Sequence, residues 1–552
     1  MKKFGLTLIA SALALGLGAC SGDDGSDGTP GNSDVLLDLS LLGRYSSGLV
    51  GESAAEIVAY DAGSKRLFVV NAAEVSIDVL DLSNPAAPAK IDTIQSEGGA
   101  ANSVAVFNGL VAVAVEAPVK TDNGKVEFYS ASSLAKLREV PVGALPDMLT
   151  FTPDGKAVLV ANEGEPNNAP EEEGDPDFYT IDPVGSISVI NLSAGVATAT
   201  VTTVGFEDFN EDAEALRAKG VRIYGPGATV AQDLEPEYIA VSPDGKTAWA
   251  TLQEANAAAV IDISNLAAPS VTDILPFGLK DHSIVGNELD ATDRDGPGSG
   301  PKIDLRNWPV KGIYQPDAIA SYSFNGKSFY VTANEGDDRN DFIDGEETKR
   351  LSSGSIMLDP AIFPTAADLK ARIGRLTVTP FGAKRNQEGQ LQEILVLGGR
   401  SFSIWSEDGQ QVYDSGSDFE RITARLNPLF FNASNDNNNL DDRSDNKGPE
   451  PEGIALGKIA GRTFAFIGLE RIGGIMVYDI SNPQSARFVQ YINTRDFTKE
   501  IEDPSAGDIG PEGLAFIPAA SSPNGKPLLA VGNEVSGTTA IFGIDVIELK
   551  NQ

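Results

Sequence analysis

The chain of 552 residues contains one cysteine, Cys20, and one histidine, His282. A single cysteine rules out disulfides within one chain and cysteine-ligated metal sites. A single histidine rules out a zinc site of several histidines within one chain. Any histidine-based triad would depend on His282, which reads as a satisfied loop residue in the segment LKDHS. Basic residues are also scarce: 42 Lys and Arg face 79 Asp and Glu, a formal charge of −37. Such a surface repels nucleic acid and anionic membranes and attracts divalent cations or cationic ligands. Long apolar runs are missing after the first twenty residues, so no later segment reads as a membrane helix. Helical periodicity is confined to 211–219 and 365–371. A doubly wound α/β fold needs a helix after nearly every strand, which excludes that class.

What is present begins with a leader. Lys2 and Lys3 form a positive start, residues 6–17 a short apolar core, and Leu17-Gly18-Ala19-Cys20 a small-residue end. The core is short for a bilayer span and has the tripartite form of a secretory signal over residues 1–19. It resembles a bacterial lipoprotein signal, in which Cys20 is lipidated. The alternative is an ordinary secretory signal with an incidental cysteine. Residues 20–33 then read as the anchor and a Gly/Ser/Asp tether, and 34–552 as one folded domain. Ser21 after the cysteine favours, by the same resemblance, the outer membrane or cell surface of a two-membrane bacterium.

Internal repeats organise the rest. Asp-Gly-Lys or Asn-Gly-Lys turns recur at 154–156, 244–246, 325–327 and 524–526, a strong hairpin signal because glycine takes positive φ without steric cost. The strand after each turn closes on Asn162-Glu163, Asn334-Glu335 or Asn533-Glu534, with variants at Glu254 and Glu470. A third signature is Asp-Leu/Ile-Ser-Asn at 81–84, 262–265 and 479–482. Each unit reads as four short antiparallel strands; around the fourth copy these are 237–242, 247–253, 257–262 and 270–276. Four-stranded units repeated about an axis predict an all-β propeller of seven or eight blades. Units begin near Glu56, Asn102, Asp147, Glu237, Asp317, Leu391, Glu452 and Glu512; the one at Leu391 lacks the usual Pro-acidic start and is either a blade of its own or part of its predecessor. The last unit shows three strands, and residues 35–45 would supply the fourth and close the ring. Long insertions at 164–184, 206–234, 278–314, 336–373 and 432–449 fall on one face.

In such a blade the start of the first strand and the end of the second lie at one end of the ring. Those positions hold Asp147 with Glu163, Glu237 with Glu254, Asp317 with Glu335, Glu452 with Glu470, and Glu512 with Glu534. About ten carboxylates therefore converge on one mouth, where mutual repulsion demands bound cations, Arg or Lys partners, or raised pKa values. Three readings follow. Strand-end acids cap turns and pair locally. Or Asp147, Glu163, Glu237, Asp317, Glu335, Glu452, Glu470 and Glu512 bind a hard cation such as Ca²⁺, whose ligands are carboxylates and carbonyls. The insertions 290–295, 337–347 and 432–445 are rich in the same ligands, without a helix-loop-helix calcium spacing. Or the mouth is catalytic, with Arg339, Arg400, Arg443 and Lys447 holding a phosphate ester beside metal-activated water. Gly398-Gly399 and Gly473-Gly474 lack a following helix and read as strand-edge turns. Trp249, Trp308 and Trp405 read as packing.

At these residues the chain resembles the choice-of-anchor I family and is similar to sea-urchin mesenchyme-specific cell-surface glycoproteins. The resemblance rests on PDMLTFTPDGKAVLVANEGEP (146–166), NEGDDR (334–339), GGRSFSIW (398–405), Asp414-Ser-Gly416, RSDNKGPEPEG (443–453) and GLERIGGIMVYD (468–479). Members share this domain and differ in anchor. Some are labelled alkaline phosphatases, and calcium-dependent phytases are also propellers. The serine-nucleophile, histidine-rich pattern of ordinary alkaline phosphatases is absent here. The resemblance thus implies, if a hydrolase, a calcium-assisted one, with Glu450, Glu452, Lys447 and Arg471 as first candidates for catalysis. The leading expectation is a lipid-anchored surface propeller that binds Ca²⁺ and a phosphorylated or mineral ligand. A Ca²⁺-dependent phosphomonoesterase is the alternative, and an adhesion or scaffold protein contacting extracellular macromolecules the second.

Overall fold

A computed structural model describes residues 35–167, 179–340 and 347–548. The expected leader, Cys20 and the tether lie outside the described residues. Among the described residues the chain forms seven four-stranded antiparallel sheets, with smaller two- and three-stranded ones between them. The fourth is typical: Pro236–Val241, Thr247–Leu252, Ala257–Asp262 and Ser270–Pro276 pair in sequence order. These bounds match the sequence expectation to within a residue. Gly155, Gly245, Gly326 and Gly525 all take left-handed φ of 69–74° at the Gly-Lys turns, which is what those tight reversals require.

The first strands begin at Val58, Ala101, Pro146, Pro236, Ile319, Pro451 and Pro511. Each touches the first strand of the next sheet, and the seventh touches the first, a propeller-like arrangement. The outer strand of the seventh sheet comes from the other end of the chain. Val35–Ser46 pairs antiparallel with Thr538–Glu548, Val35 opposite Glu548 and Ser46 opposite Thr538. Apolar faces of neighbouring sheets meet between them: Leu159, Ile187 and Val189 of the third pack with Ile239, Ala248 and Ala250 of the fourth. The small side chains of Ala248 and Ala250 let the layers approach closely.

The unit that the sequence left open is resolved. The segment at Leu391 belongs to its predecessor, because its strand Ser401–Ser406 pairs with Lys327–Asn334 as the third strand of the fifth sheet. The intervening chain and the earlier insertion 278–314 together build a side module with its own core, including Leu289, Trp308, Leu351, Ile373 and Ile394. Its small sheet joins Leu279–Asp281, Lys311–Ile313 and Leu395–Leu397, the last pair parallel. Helices occur at Ala213–Lys219 and Ala366–Ile373, close to expectation. A one-turn helix at Val230–Asp233 and a longer one at Asp418–Leu426, anchored by Phe419 and Ile422, have no long periodic run to announce them. Trp249, Trp308 and Trp405 are buried, as packing residues should be.

Candidate functional site: an acidic cup

The acidic residues reach the axis through a repeated local device. Pro146 pairs with Asn162 and Met148 with Ala161, so Asp147 is an extra residue in its strand. The same register slip falls at Asn102, Glu237, Glu452 and Glu512 in their sheets. A bulge re-aims a side chain out of the ladder, and proline tolerates the first position of a strand because it has no N–H to pair. The residue before the proline is also unusual: Leu145, Gln315 and Glu450 take φ of 44°, 40° and 50°, with Gly510 at 72°. Their carbonyls accept the N–H of Glu163, Gly336, Glu470 and Glu534, tying second-strand ends to first-strand starts. Non-glycine residues held left-handed store strain, and such strain clusters at functional sites.

The result is a cavity of about 400 Å³. All eight residues singled out as metal ligands line it: Asp147, Glu163, Glu237, Asp317, Glu335, Glu452, Glu470 and Glu512. Glu254 and Glu534, their expected partners, line it too, with Asp337 and Asp338 from the ligand-rich insertion 337–347 and with Glu165, which strand-end reasoning missed because it lies in an insertion. Glu56 at the first sheet is close enough to Glu534 and Asp147 to share their field. Lys447 and Arg471 are the basic side chains of the lining. Tyr238, Met148 and Ile57 supply its apolar part.

Electrostatics follow from that composition. Burial, then neighbouring carboxylates, push Asp147 up to about 7 and Glu56 and Asp337 up to about 8. The same causes hold Glu163, Glu237, Asp317, Glu452, Glu470 and Glu512 well above the usual carboxylate range. Burial together with Asp317, Glu512 and Asp147 also pushes the Tyr238 phenol up. Buried oxygens without a hydrogen-bond partner remain on Glu237, Glu254, Glu452 and Glu512. Orphaned buried acceptors are rare in folded proteins and mark a missing donor or ion.

Two groups of carboxylates are compact enough for one ion. Oxygens of Asp317, Glu335 and Glu452 lie within 4.8 Å of one another, and so do those of Glu335, Glu450 and Glu470. Ca²⁺ binds oxygens at ~2.4 Å, so ligands on opposite sides of one ion stand about that far apart. The second group is already neutralised from within. Lys447 Nζ stands 3.1 Å from Glu335 and 3.0 Å from Glu450, and donates to the Gly336 carbonyl. Arg443 and Arg471 complete the cage at 2.6 and 3.0 Å from Glu450, and Arg471 stands 3.0 Å from Glu470. Burial opposes ionisation of Glu450, yet Lys447, Arg443 and Arg471 together hold its carboxyl far below the usual range. Glu335 is oriented at both oxygens, by Lys447 and by the Gln253 amide at 3.1 Å.

Of the residues expected to hold phosphate or act in catalysis, the structure brings Lys447, Glu452 and Arg471 to the cavity. It does not bring Arg339, Arg400, Arg443 or Glu450 there. Arg339 is enclosed by Asp233 and by Glu235 at 2.6 Å. Arg400 binds Glu420 at 2.8 Å and the carbonyls of Asp290, Ser444 and Asn446. His282 is buried outside the cavity with Nδ1 2.8 Å from the Asn287 carbonyl. The insertions 290–295 and 432–445 meet each other, and Asn435 of the second also reaches the cup wall, donating to Glu470 at 2.9 Å and accepting from Arg471 at 2.9 Å. Where the two insertions meet, burial and mutual repulsion raise Asp290 to about 8 and Asp441 to about 7.

Fold and cavity together define a propeller-like protein whose sheets converge on an acidic cup. Residues 56–483 match the choice-of-anchor I domain, and the chain belongs to that family. Gigasin-3a of Magallana gigas is 30% identical over 191 residues, covering 32% of this chain and 65% of that protein. A mesenchyme-specific cell surface glycoprotein of Strongylocentrotus purpuratus is 26% identical over 324 residues, covering 51% of this chain and 40% of the relative. The chain thus spans less than two thirds of either curated relative. Solved structures with a similar course include hydrazine synthase of Kuenenia stuttgartiensis (TM-score 0.43, 13% identity, covering 92% of this chain and 100% of that one). Streptogramin B lyase is another (TM-score 0.42, 10% identity, covering 93% and 98%).

Proposed function

We propose that this protein is a seven-bladed propeller, closed by its amino-terminal strand, that binds Ca²⁺ in its acidic cup at Asp317, Glu335 and Glu452. The observation that carries the reading is the compact triad of carboxylates together with the partnerless buried oxygen of Glu452. At ~5 Å and an effective dielectric of about 20, each carboxylate pair repels by roughly 3 kcal/mol, which a divalent cation reverses. Protein carbonyls and water would complete a shell of six to eight oxygens. The leader and the surface glycoprotein among its relatives support export, with Cys20 as lipid anchor at the cell surface. The surface setting in turn supports a ligand that reaches the cup from outside.

Calorimetric titration with Ca²⁺ should show binding that Glu452→Gln weakens at least tenfold. Equal affinity in the variant sinks the triad. At a hundredfold excess over Kd, Ca²⁺ should raise Tm by about 2–3 °C for a domain of this size. No observation favours the phosphomonoesterase alternative, since Lys447 and Arg471 are both engaged by carboxylates. Hydrolysis of a generic phosphate ester by the purified protein should therefore stay at background with and without Ca²⁺, and turnover would reinstate the enzyme.

A further inference from the structure

The cup has two unlike sides. Lys447 and Arg471 both belong to the side built from 447–471. On the opposite side Asp147, Glu163, Glu237 and Glu254, from the third and fourth sheets, make no ion pair among the described residues. Glu237 and Glu254 are only 7% exposed, yet each keeps a buried carboxylate oxygen without a hydrogen-bond donor. These oxygens belong to neither compact triad. A bare ion needs converging ligands, whereas separated acceptors are satisfied by a cation that carries several N–H donors on a flexible stem. The molecule holds such a group already: the ammonium of Lys447 sits between Glu335 and Glu450 and donates to a carbonyl. Beside the unpaired acids, Tyr238 and Met148 offer an apolar and aromatic surface suited to methylenes and to a cation over a ring. A cavity of about 400 Å³ has room for roughly a dozen waters, far more than one coordinated ion fills.

We propose that the wall formed by Asp147, Glu163, Glu237 and Glu254 over Tyr238 is a subsite for alkylammonium groups. Its ligand is a polyamine or the lysine side chains of a surface macromolecule. The inference rests on the cup being a cation site and names a second class of cation for it. The two sources share one chemistry, recognised by carboxylates that accept N–H donors and by an aromatic floor that takes the aliphatic stem.

The test is calorimetry on the folded domain with spermidine and with a short lysine-rich peptide of the same charge, with and without saturating Ca²⁺. Spermidine should bind, and Glu237→Gln should weaken it at least tenfold and by clearly more than it weakens Ca²⁺ binding. Glu500→Gln, an exposed acid of equal charge, should change neither. Glu237→Gln removes a repelled buried charge, so its Tm should be no lower than that of the parent protein, which checks folding. Equal spermidine affinity in Glu237→Gln and Glu500→Gln overturns the subsite in favour of unspecific attraction by net charge. Ca²⁺ binding with no amine binding overturns it while leaving the cation cup intact; loss of both removes the cup reading itself. Tighter binding of the peptide assigns the site to macromolecular lysines, and tighter binding of spermidine to free polyamines.

Discussion

Glu335 is the carboxylate on which two ion-sized arrangements meet, one open and one filled by Lys447. Removing that ammonium leaves Glu335 and the fully buried Glu450 short of a counter-charge. Breaking a buried pair from one side costs about 3–5 kcal/mol. Lys447→Met should lower stability by about 3 kcal/mol in urea unfolding, and Ca²⁺ should recover part of it by occupying the vacated group. An unchanged midpoint would mean that the cage is held by Arg443 and Arg471 alone. At this scale the sequence shows which acids converge, because strand alternation and the Pro-acidic starts place them. It does not show which arginines are free. Arg339 meets Asp233 and Glu235, and Arg400 meets Glu420, through pairings set by how insertions fold over one another.

Among the elements, the bulged first strand does most to shape the cup. Gly453 follows the bulged Glu452, and a Cβ there would lie 1.7 Å from the Glu512 carbonyl oxygen of the next sheet. Only a residue without a side chain lets the sixth and seventh first strands come so close. Gly453→Ala should therefore destabilise by about 2 kcal/mol or more, a backbone clash rather than a lost contact. It should also weaken Ca²⁺ binding, because Glu452 is moved. A denaturation midpoint and calorimetric affinity both at parental values would contradict this. The strands themselves were legible, since turn glycines and β-branched runs bound them within a residue or so. The bulges were not, for a one-residue slip leaves no trace in composition. The place of Ser401–Ser406 was half legible: the missing Pro-acidic start pointed to the preceding unit, but the side module between the partner strands, with strand-like runs of its own, left a separate blade as the other reading.

The molecule as a whole concentrates repulsion at one end and should show it in its response to pH. Asp147 and Glu56 are raised to about 7 and about 8 in the fold, against roughly 4 when unfolded. Raised carboxyls bind more protons folded than unfolded between those values, so they favour the fold at low pH and cease to do so as pH rises through 7–8. Glu450 is shifted the other way, and its contribution is present at neutral pH and lost only in acid. The chelated protein should lose Tm steadily from pH 5 to pH 8 and then level off. Ca²⁺ should flatten that decline. A chelated Tm that rises across this range would contradict the burial of these acids.

The strand that completes the seventh sheet carries a last consequence. Thr538 and Ser46 are paired at the cup end, while Val35 and Glu548 are paired at the far end, beside the Gly-Lys turns. The described chain therefore starts on the face opposite the carboxylates. An attachment made at Val35 itself would meet the turn-bearing underside and leave the cup facing away from it.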